Sequence, residues 1–304
     1  MGAYNNIMKG FFRGSATAII TPFDENGVNY ETFGQLIEYQ IENGTDAIIF
    51  LGTTGEPSTM SFEEEHVLME YAVKKVAGRT KVIFGCGSNN TADAVMTAQT
   101  AERFGADGLL AVTPYYNKCT QNGLVEYYKA ICQSVSIPVI AYNVPGRTGV
   151  EIQPATMAKI ADIPNMAGMK DAGGNMSKTM ETMRLVREKC DVYSGEDALN
   201  LPILASGGAG VISVVSNIVP KQVKTLCELI FAGKMQEAIA LNDTLLPLAN
   251  ACFLEVNPIP VKEAMHLLGF AAGTPRAPLT VMEPQNREKL IAAMQEFGLE
   301  IKNV

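Results

Sequence analysis

The chain has 304 residues, 47% hydrophobic, 18% charged and 7% aromatic, a composition that can bury a sizeable core and excludes a disordered or fibrous protein. Its 24 Lys and Arg against 32 Asp and Glu leave a formal net charge of −8, so nucleic acid and anionic membrane are poor partners and small metabolites are the expected ones. The only two histidines, His66 and His266, stand far apart without metal-spaced neighbours, which argues against zinc hydrolases, metal aldolases and Ser-His-Asp enzymes.

The opening MGAYNNIMKGFFRG has no signal-like apolar core, and no apolar stretch approaches the roughly 18 residues of a membrane span, so a cytoplasmic protein is expected. Its first part, Met1–Lys9, is short and polar and is expected to fray. Eight apolar runs of strand character then follow: Ala16–Ile20, Ala47–Leu51, Val82–Cys86, Gly108–Val112, Val139–Tyr142, Met166–Met169, Val192–Tyr193 and Val211–Val215. They do not alternate in polarity, as expected of parallel strands covered on both faces. Between them, Tyr30–Asn43, Ser61–Ala77, Thr91–Phe104 and Gly123–Val135 carry apolar residues at helical spacing. Ser61 with Glu64 predicts a capping box, and Gly44, Gly78 and Gly105 stand where helices should stop. From Val219 onward the strand signal ends, and Lys221–Gly233, Met235–Phe253, Pro260–Leu268 and Gln285–Phe297 read as helices. The pattern predicts an α/β fold, a (β/α)8 TIM barrel over residues 1–218 with a C-terminal helical extension over 219–304. A doubly wound sheet would want a GxGxxG turn after an early strand; SGGAG at 206–210 precedes a strand instead and reads as a tight connection. Six cysteines without a CxxC pair read as reduced, mostly buried thiols.

In such a barrel the chemistry lies at the C-terminal ends of the strands. Lys170 closes the run NMAGM, where desolvation would disfavour its ammonium form, as a Schiff-base lysine requires; the plainer reading of the position alone is that it snorkels to water or to Asp171. Tyr142, Thr53 and Tyr116 place hydroxyl groups at other strand ends, available for proton transfer or simply for packing. GTTGE at 52–56 offers backbone N–H groups and the Thr53 and Thr54 hydroxyls to a carboxylate, or is only a glycine-bounded turn. Arg147 is a fork for a second carboxylate or a surface ion-pair partner.

At these positions the sequence resembles the dihydrodipicolinate synthase branch of the N-acetylneuraminate lyase superfamily. The motifs are GSATAIITPF (14–23), GTTGE (52–56), TPYYN (113–117), YNVPGRT (142–148), GMKDA (168–172), YSGED (193–197), GVISV (210–214) and NPIPVK (257–262). The resemblance implies a lyase of the lysine and diaminopimelate pathway. It would need no metal or organic cofactor, join pyruvate through a Schiff base on Lys170 to L-aspartate 4-semialdehyde, and assemble as a homotetramer built from tight dimers. It further implies a proton relay of Thr53, Tyr142 and Tyr116, with Tyr116 supplied by the neighbouring subunit. Thr54 would hold the pyruvate carboxylate, Arg147 the semialdehyde carboxylate, and Gly195 and Ile212 would border Lys170.

Sialic-acid lyases typically carry Ser-Thr in place of Thr53-Thr54 and lack this arginine, so Arg147 favours an acidic aldehyde. Relatives inhibited by lysine bind it at the tight-dimer interface, and Asn89, Asp93 and Tyr115 match that site as candidate allosteric residues. Pro57, Phe62 and Glu65 depart from its usual small polar residue and two histidines, so weak or absent lysine inhibition is expected. A silent barrel that senses 2-oxo acids and a metal-free isomerase are the competing functions, and Schiff-base trapping separates them from the lyase.

Overall fold

The computed structural model describes residues 9–302; apart from Lys9, the N-terminal segment expected to fray lies outside them. The strands in chain order are β1 (Gly14–Ala18), β2 (Phe23–Asp24), β3 (Gly27–Val28), β4 (Ala47–Phe50), β5 (Lys81–Gly85), β6 (Gly108–Val112), β7 (Val139–Asn143), β8 (Met166–Asp171), β9 (Asp191–Ser194) and β10 (Gly210–Ser213). Eight of them close a barrel in the order β1-β10-β9-β8-β7-β6-β5-β4, while β2 and β3 form a small antiparallel hairpin of their own. Strand pairing within the barrel is parallel. The expected (β/α)8 class with a helical C-terminal segment is the observed one.

Differences from the sequence expectation have local causes. The first strand ends at Ala18 rather than Ile20 because the Ile20 N–H leaves the ladder and donates to the Asn217 side chain at 3.1 Å. The last ends at Ser213 because Val215–Asn217 winds into a 3-10 turn. β8 continues past the predicted end at Met169, since Lys170 and Asp171 interrupt the apolar run but still pair with Tyr142 and Asn143 of β7. The register between β7 and β8 shifts near their beginnings: Val139 pairs with Met166, whereas Ile140 pairs with Gly168, passing over Ala167.

The described chain forms two compact units. The first comprises the described residues up to Arg13 with Lys81–Ile212. Here helix Thr91–Phe104 stops at Gly105, whose φ of 95° supplies the left-handed cap expected from sequence. The Phe12 ring stacks on Tyr193 with centroids 4.2 Å apart, and the Tyr193 hydroxyl donates to the Phe12 carbonyl at 3.0 Å. Both contacts pin the incoming chain to β9.

The second unit comprises Gly14–Thr80 and the chain from Ser213 onward. Its C-terminal helices, Pro220–Phe231, Met235–Ala251, Ile259–Leu267 and Pro284–Glu296, therefore share a unit with β1 and β4. The predicted capping box opens helix Phe62–Val76, with Ser61 and Glu64 each accepting from the other's backbone N–H. That helix ends on Ala77 in the left-handed region, one residue before the glycine expected to stop it. His66 and His266 both lie exposed on helices of this unit.

All six cysteines are free thiols; Cys119 is half-buried and the others are buried. Burial pushes the Cys132, Cys190 and Cys227 thiols up to about 12, so they are neutral packing groups. Among the described residues no helix is long and apolar enough to cross a membrane.

Candidate active site

In the first unit, β7 and β8 end side by side, with Tyr142 opposite Lys170 and Asn143 opposite Asp171. Successive strand residues point to opposite faces, so Lys170 and Tyr142 share one face while Asn143 and Asp171 share the other. On the first face the Lys170 amine lies over the Tyr142 ring, 4.2 Å from its centroid. Lys170 is 4% exposed and Tyr142 7%, so a packed lysine meets an aromatic ring where little water competes.

Gly195, just past β9, completes this wall. A Cβ there would lie 2.8 Å from Lys170 Cγ and 2.9 Å from Cε, so the lysine stem runs directly over glycine backbone. Ile212 is fully buried on β10, which pairs with β9.

On the second face the Asp171 carboxylate is fully engaged. Oδ1 accepts from Asn143 Nδ2 at 2.9 Å and from the Gly173 N–H at 3.1 Å, while Oδ2 accepts from Thr179 Oγ1 at 2.6 Å. Asp171 is thus tied to the outer helix Met176–Val186 and turned away from Lys170, and the alternative in which the lysine merely reaches its chain neighbour is not realised.

Arg147 lies exposed on the short helix Pro145–Thr148 that follows β7, where Pro145 presets the first helical φ. Tyr116 is 89% exposed and holds a φ of 70°, an uncommon conformation for an aromatic residue, and it projects from the loop after β6. Asn117 Nδ2 donates to the Asn89 carbonyl at 2.9 Å and joins this loop to the one after β5. Of the candidate allosteric residues, Asn89 precedes helix Thr91–Phe104, Asp93 sits in its first turn and Tyr115 is exposed beside Tyr116.

In the second unit, Thr53, Thr54 and Gly55 form a single 3-10 turn after β4. The Gly55 and Glu56 N–H groups are spent inside the turn, on Gly52 and Thr53 carbonyls at 2.8 and 3.2 Å. The donors that such a turn leaves available to an anion therefore include those of Thr53 and Thr54, but not that of Gly55. Thr54 is buried, and its Oγ1 accepts from Asn257 Nδ2 at 3.0 Å.

Glu56, with a φ of 56°, sends its side chain inward. Its Oε1 accepts from Lys262 Nζ at 2.8 Å, both side chains being 1% exposed, and its Oε2 accepts from the Arg276 N–H at 2.9 Å. Lys262 Nζ also donates to the Thr274 carbonyl at 3.2 Å and lies over the Phe23 ring at 4.4 Å. Burial pulls the Lys262 amine down from its ordinary value, and the Glu56 carboxylate opposes that shift.

Asn257, Lys262 and Asp171 were not singled out from sequence as supports. The available signal was one lysine at a buried position within the otherwise apolar start IPVK of a helix, together with a glutamate closing a glycine-bounded turn.

Pro57, Phe62 and Glu65 also lie in this unit. Burial pushes the Glu65 carboxyl from 4.5 up to about 7. The folded protein then holds this proton more tightly than the unfolded chain, so its contribution to stability is lost as pH rises from about 4.5 to about 7. Glu65→Gln, which cannot ionise, is expected to raise the melting temperature near pH 8 while changing it little near pH 4. Equal shifts at both pH values would refute this.

Among the described residues no group of three or more His, Cys, Asp or Glu side chains is gathered to hold a metal ion.

The profile of the Dihydrodipicolinate synthetase family matches residues 11–297. The chain belongs to this family. It is 49% identical over 292 residues to the 4-hydroxy-tetrahydrodipicolinate synthase of Caldicellulosiruptor bescii, covering 96% of this chain and 99% of that one. The crystal structure of dihydrodipicolinate synthase from Aquifex aeolicus superposes with a TM-score of 0.94 at 46% identity, covering 96% of this chain and 100% of that one. The chloride-inhibited Acinetobacter baumannii dihydrodipicolinate synthase, complexed with pyruvate, superposes with a TM-score of 0.92 at 41% identity, covering 94% and 99%. The family match covers parts of both units and every candidate site residue described above.

Proposed function

We propose that this protein is a lyase that condenses pyruvate with L-aspartate 4-semialdehyde to 4-hydroxy-tetrahydrodipicolinate, a step toward diaminopimelate and lysine. The observation that carries the mechanism is the packed Lys170 amine over the Tyr142 ring at paired strand positions, in a chain similar to a synthase crystallised with pyruvate.

The Lys170 amine adds to the pyruvate carbonyl and the carbinolamine loses water to give an imine. Loss of a methyl proton gives the enamine, whose carbon attacks the aldehyde while the aldehyde oxygen takes up a proton. The semialdehyde's amine then attacks the imine carbon, closing the ring and releasing the Lys170 amine. Carbon–carbon bond formation therefore needs no cofactor beyond the lysine itself.

In this scheme Tyr142, Thr53 and Tyr116 pass the protons. The exposure and backbone conformation of Tyr116 fit a side chain offered to a second copy of the chain, and assembly as a homotetramer of tight dimers would complete each site. Thr54, with the Thr53 and Thr54 amides, holds the pyruvate carboxylate; Arg147 receives the semialdehyde carboxylate; Gly195 and Ile212 shape the wall around Lys170. Residues 1–218 form the catalytic barrel and 219–304 the helical region, acting in the cytoplasm. Asn89, Asp93 and Tyr115 belong to a regulatory surface on which lysine inhibition is weak or absent.

The test is incubation with pyruvate and borohydride, followed by intact-mass measurement and peptide mapping. An adduct of reduced pyruvate confined to Lys170 is expected. No adduct on folded protein would overturn the mechanism.

A further inference from the structure

Beyond the groups that meet substrate, the structure holds a second, buried layer directly behind Lys170. Asn143 and Asp171 are the last residues of β7 and β8, and they are 3% and 6% exposed. Strand ends are where a ladder loosens, and here backbone pairing is supplemented by a side-chain clasp. The Asn143 amide is used at both ends, donating to Asp171 Oδ1 at 2.9 Å and accepting from the Ile152 N–H at 3.0 Å. Its orientation is thereby fixed, because a flipped amide would set NH2 against N–H. Thr179, 1% exposed, then ties Asp171 to the helix behind the strand at 2.6 Å.

We infer that Asn143, Asp171 and Thr179 are positioning residues that set the placement of Lys170 against Tyr142. The inference rests on the imine mechanism proposed above. A lysine has four rotatable side-chain bonds, and its amine attacks productively only within a narrow geometry; displacement by about 1 Å can cost about 100-fold in rate. The backbones of residues 142–143 and 170–171 fix where the Lys170 and Tyr142 side chains begin, and the clasp joins those backbones on the face away from the chemistry. We take its role as geometric, because all three donors to the carboxylate come from the face away from Lys170 and fix where the strand end lies.

The substitution pair Asp171→Ala and Asp171→Asn separates the two roles. Asparagine keeps an oxygen for the Asn143 and Gly173 donors, while its NH2 can donate to a Thr179 hydroxyl that turns toward the Asn175 carbonyl, already 3.1 Å away. The readout is the rate of the pyruvate-dependent, borohydride-trapped adduct at Lys170 across pH, with melting temperature measured alongside. Asp171→Ala, still folded, is expected to trap about 10- to 100-fold more slowly. Asp171→Asn is expected to trap within about threefold of the unaltered protein, with an unchanged pH profile.

A folded Asp171→Ala protein trapping at the unaltered rate would overturn the inference. So would an Asp171→Asn protein as slow as the alanine variant with a displaced pH profile, which would assign an electrostatic role instead. Should Asp171→Ala fail to fold, Thr179→Val removes one donor of three and is expected to slow trapping several-fold; an unaltered rate there overturns the inference equally. Absence of an adduct in the unaltered protein would overturn the synthase mechanism and the clasp together. An adduct in the unaltered protein that is indifferent to these substitutions would overturn the clasp alone.

Discussion

Lys170→Ala is expected to lower turnover of pyruvate and L-aspartate 4-semialdehyde by on the order of 10,000-fold or more, with the borohydride adduct lost entirely. The size of the effect follows from covalency: without the amine neither the imine nor the enamine can form, and what remains is binding and proton transfer without an electron sink. Lys170→Arg should be equally inactive, because a guanidinium stays charged and cannot form the imine. Both proteins should fold. The lysine's amine lies over the Tyr142 ring, an interaction worth about 0.5–2 kcal/mol, and the neighbouring Asp171 carboxylate is held by other donors. Steady-state kinetics and mass spectrometry on the two variants check this; turnover above about 1% of the unaltered protein would remove Lys170 from the mechanism.

Lys262→Met is expected to give the largest loss of stability, about 3–5 kcal/mol, because it leaves the Glu56 carboxylate buried beside an apolar side chain. The companion change Glu56→Gln in the same protein should recover much of that loss. Two neutral side chains then replace an ion pair whose desolvation offset much of its own attraction, although the Arg276 N–H still needs the acceptor that glutamine keeps. Activity should fall with the single change as well, since Glu56 closes the turn that carries Thr53 and Thr54. Urea unfolding of the two single variants and the double variant gives the coupling directly. A Lys262→Met protein as stable as the unaltered one would show that the pair is dispensable.

The barrel was legible in the sequence because buried parallel strands read as unbroken apolar runs, and glycine and capping residues punctuate the helices between them. Gly108–Val112 and Thr91–Phe104 have the predicted bounds. The β2–β3 hairpin was missed because two-residue strands carry no period, and β8 was cut short because Lys170 and Asp171 end its apolar run without ending its pairing.

Within the site, Lys170, Tyr142 and Gly195 come together on or just beyond neighbouring strands, where the strand rhythm alone already placed them. The supports were not legible. Asn257 meets Thr54 across 203 positions and Lys262 meets Glu56 across 206, and no local pattern carries such distances. Asn143 and Asp171 stood in plain view within recognised motifs, but assigning them required knowing that they face away from the lysine.

That Tyr142, and not Asn143, stands on the lysine's face depends on a single residue. Were the pairing at Val139 and Met166 continued without the shift, Tyr142 would stand opposite Met169, and Lys170 opposite Asn143. The passed-over position, Ala167, therefore works as a spacer that brings the amine and the phenol to the same rung. A shortening or lengthening of this strand by one residue would preserve its hydrophobicity and still dismantle the site. Among homologues, insertions and deletions should be absent from the segment between Met166 and Lys170 even where side chains there vary freely.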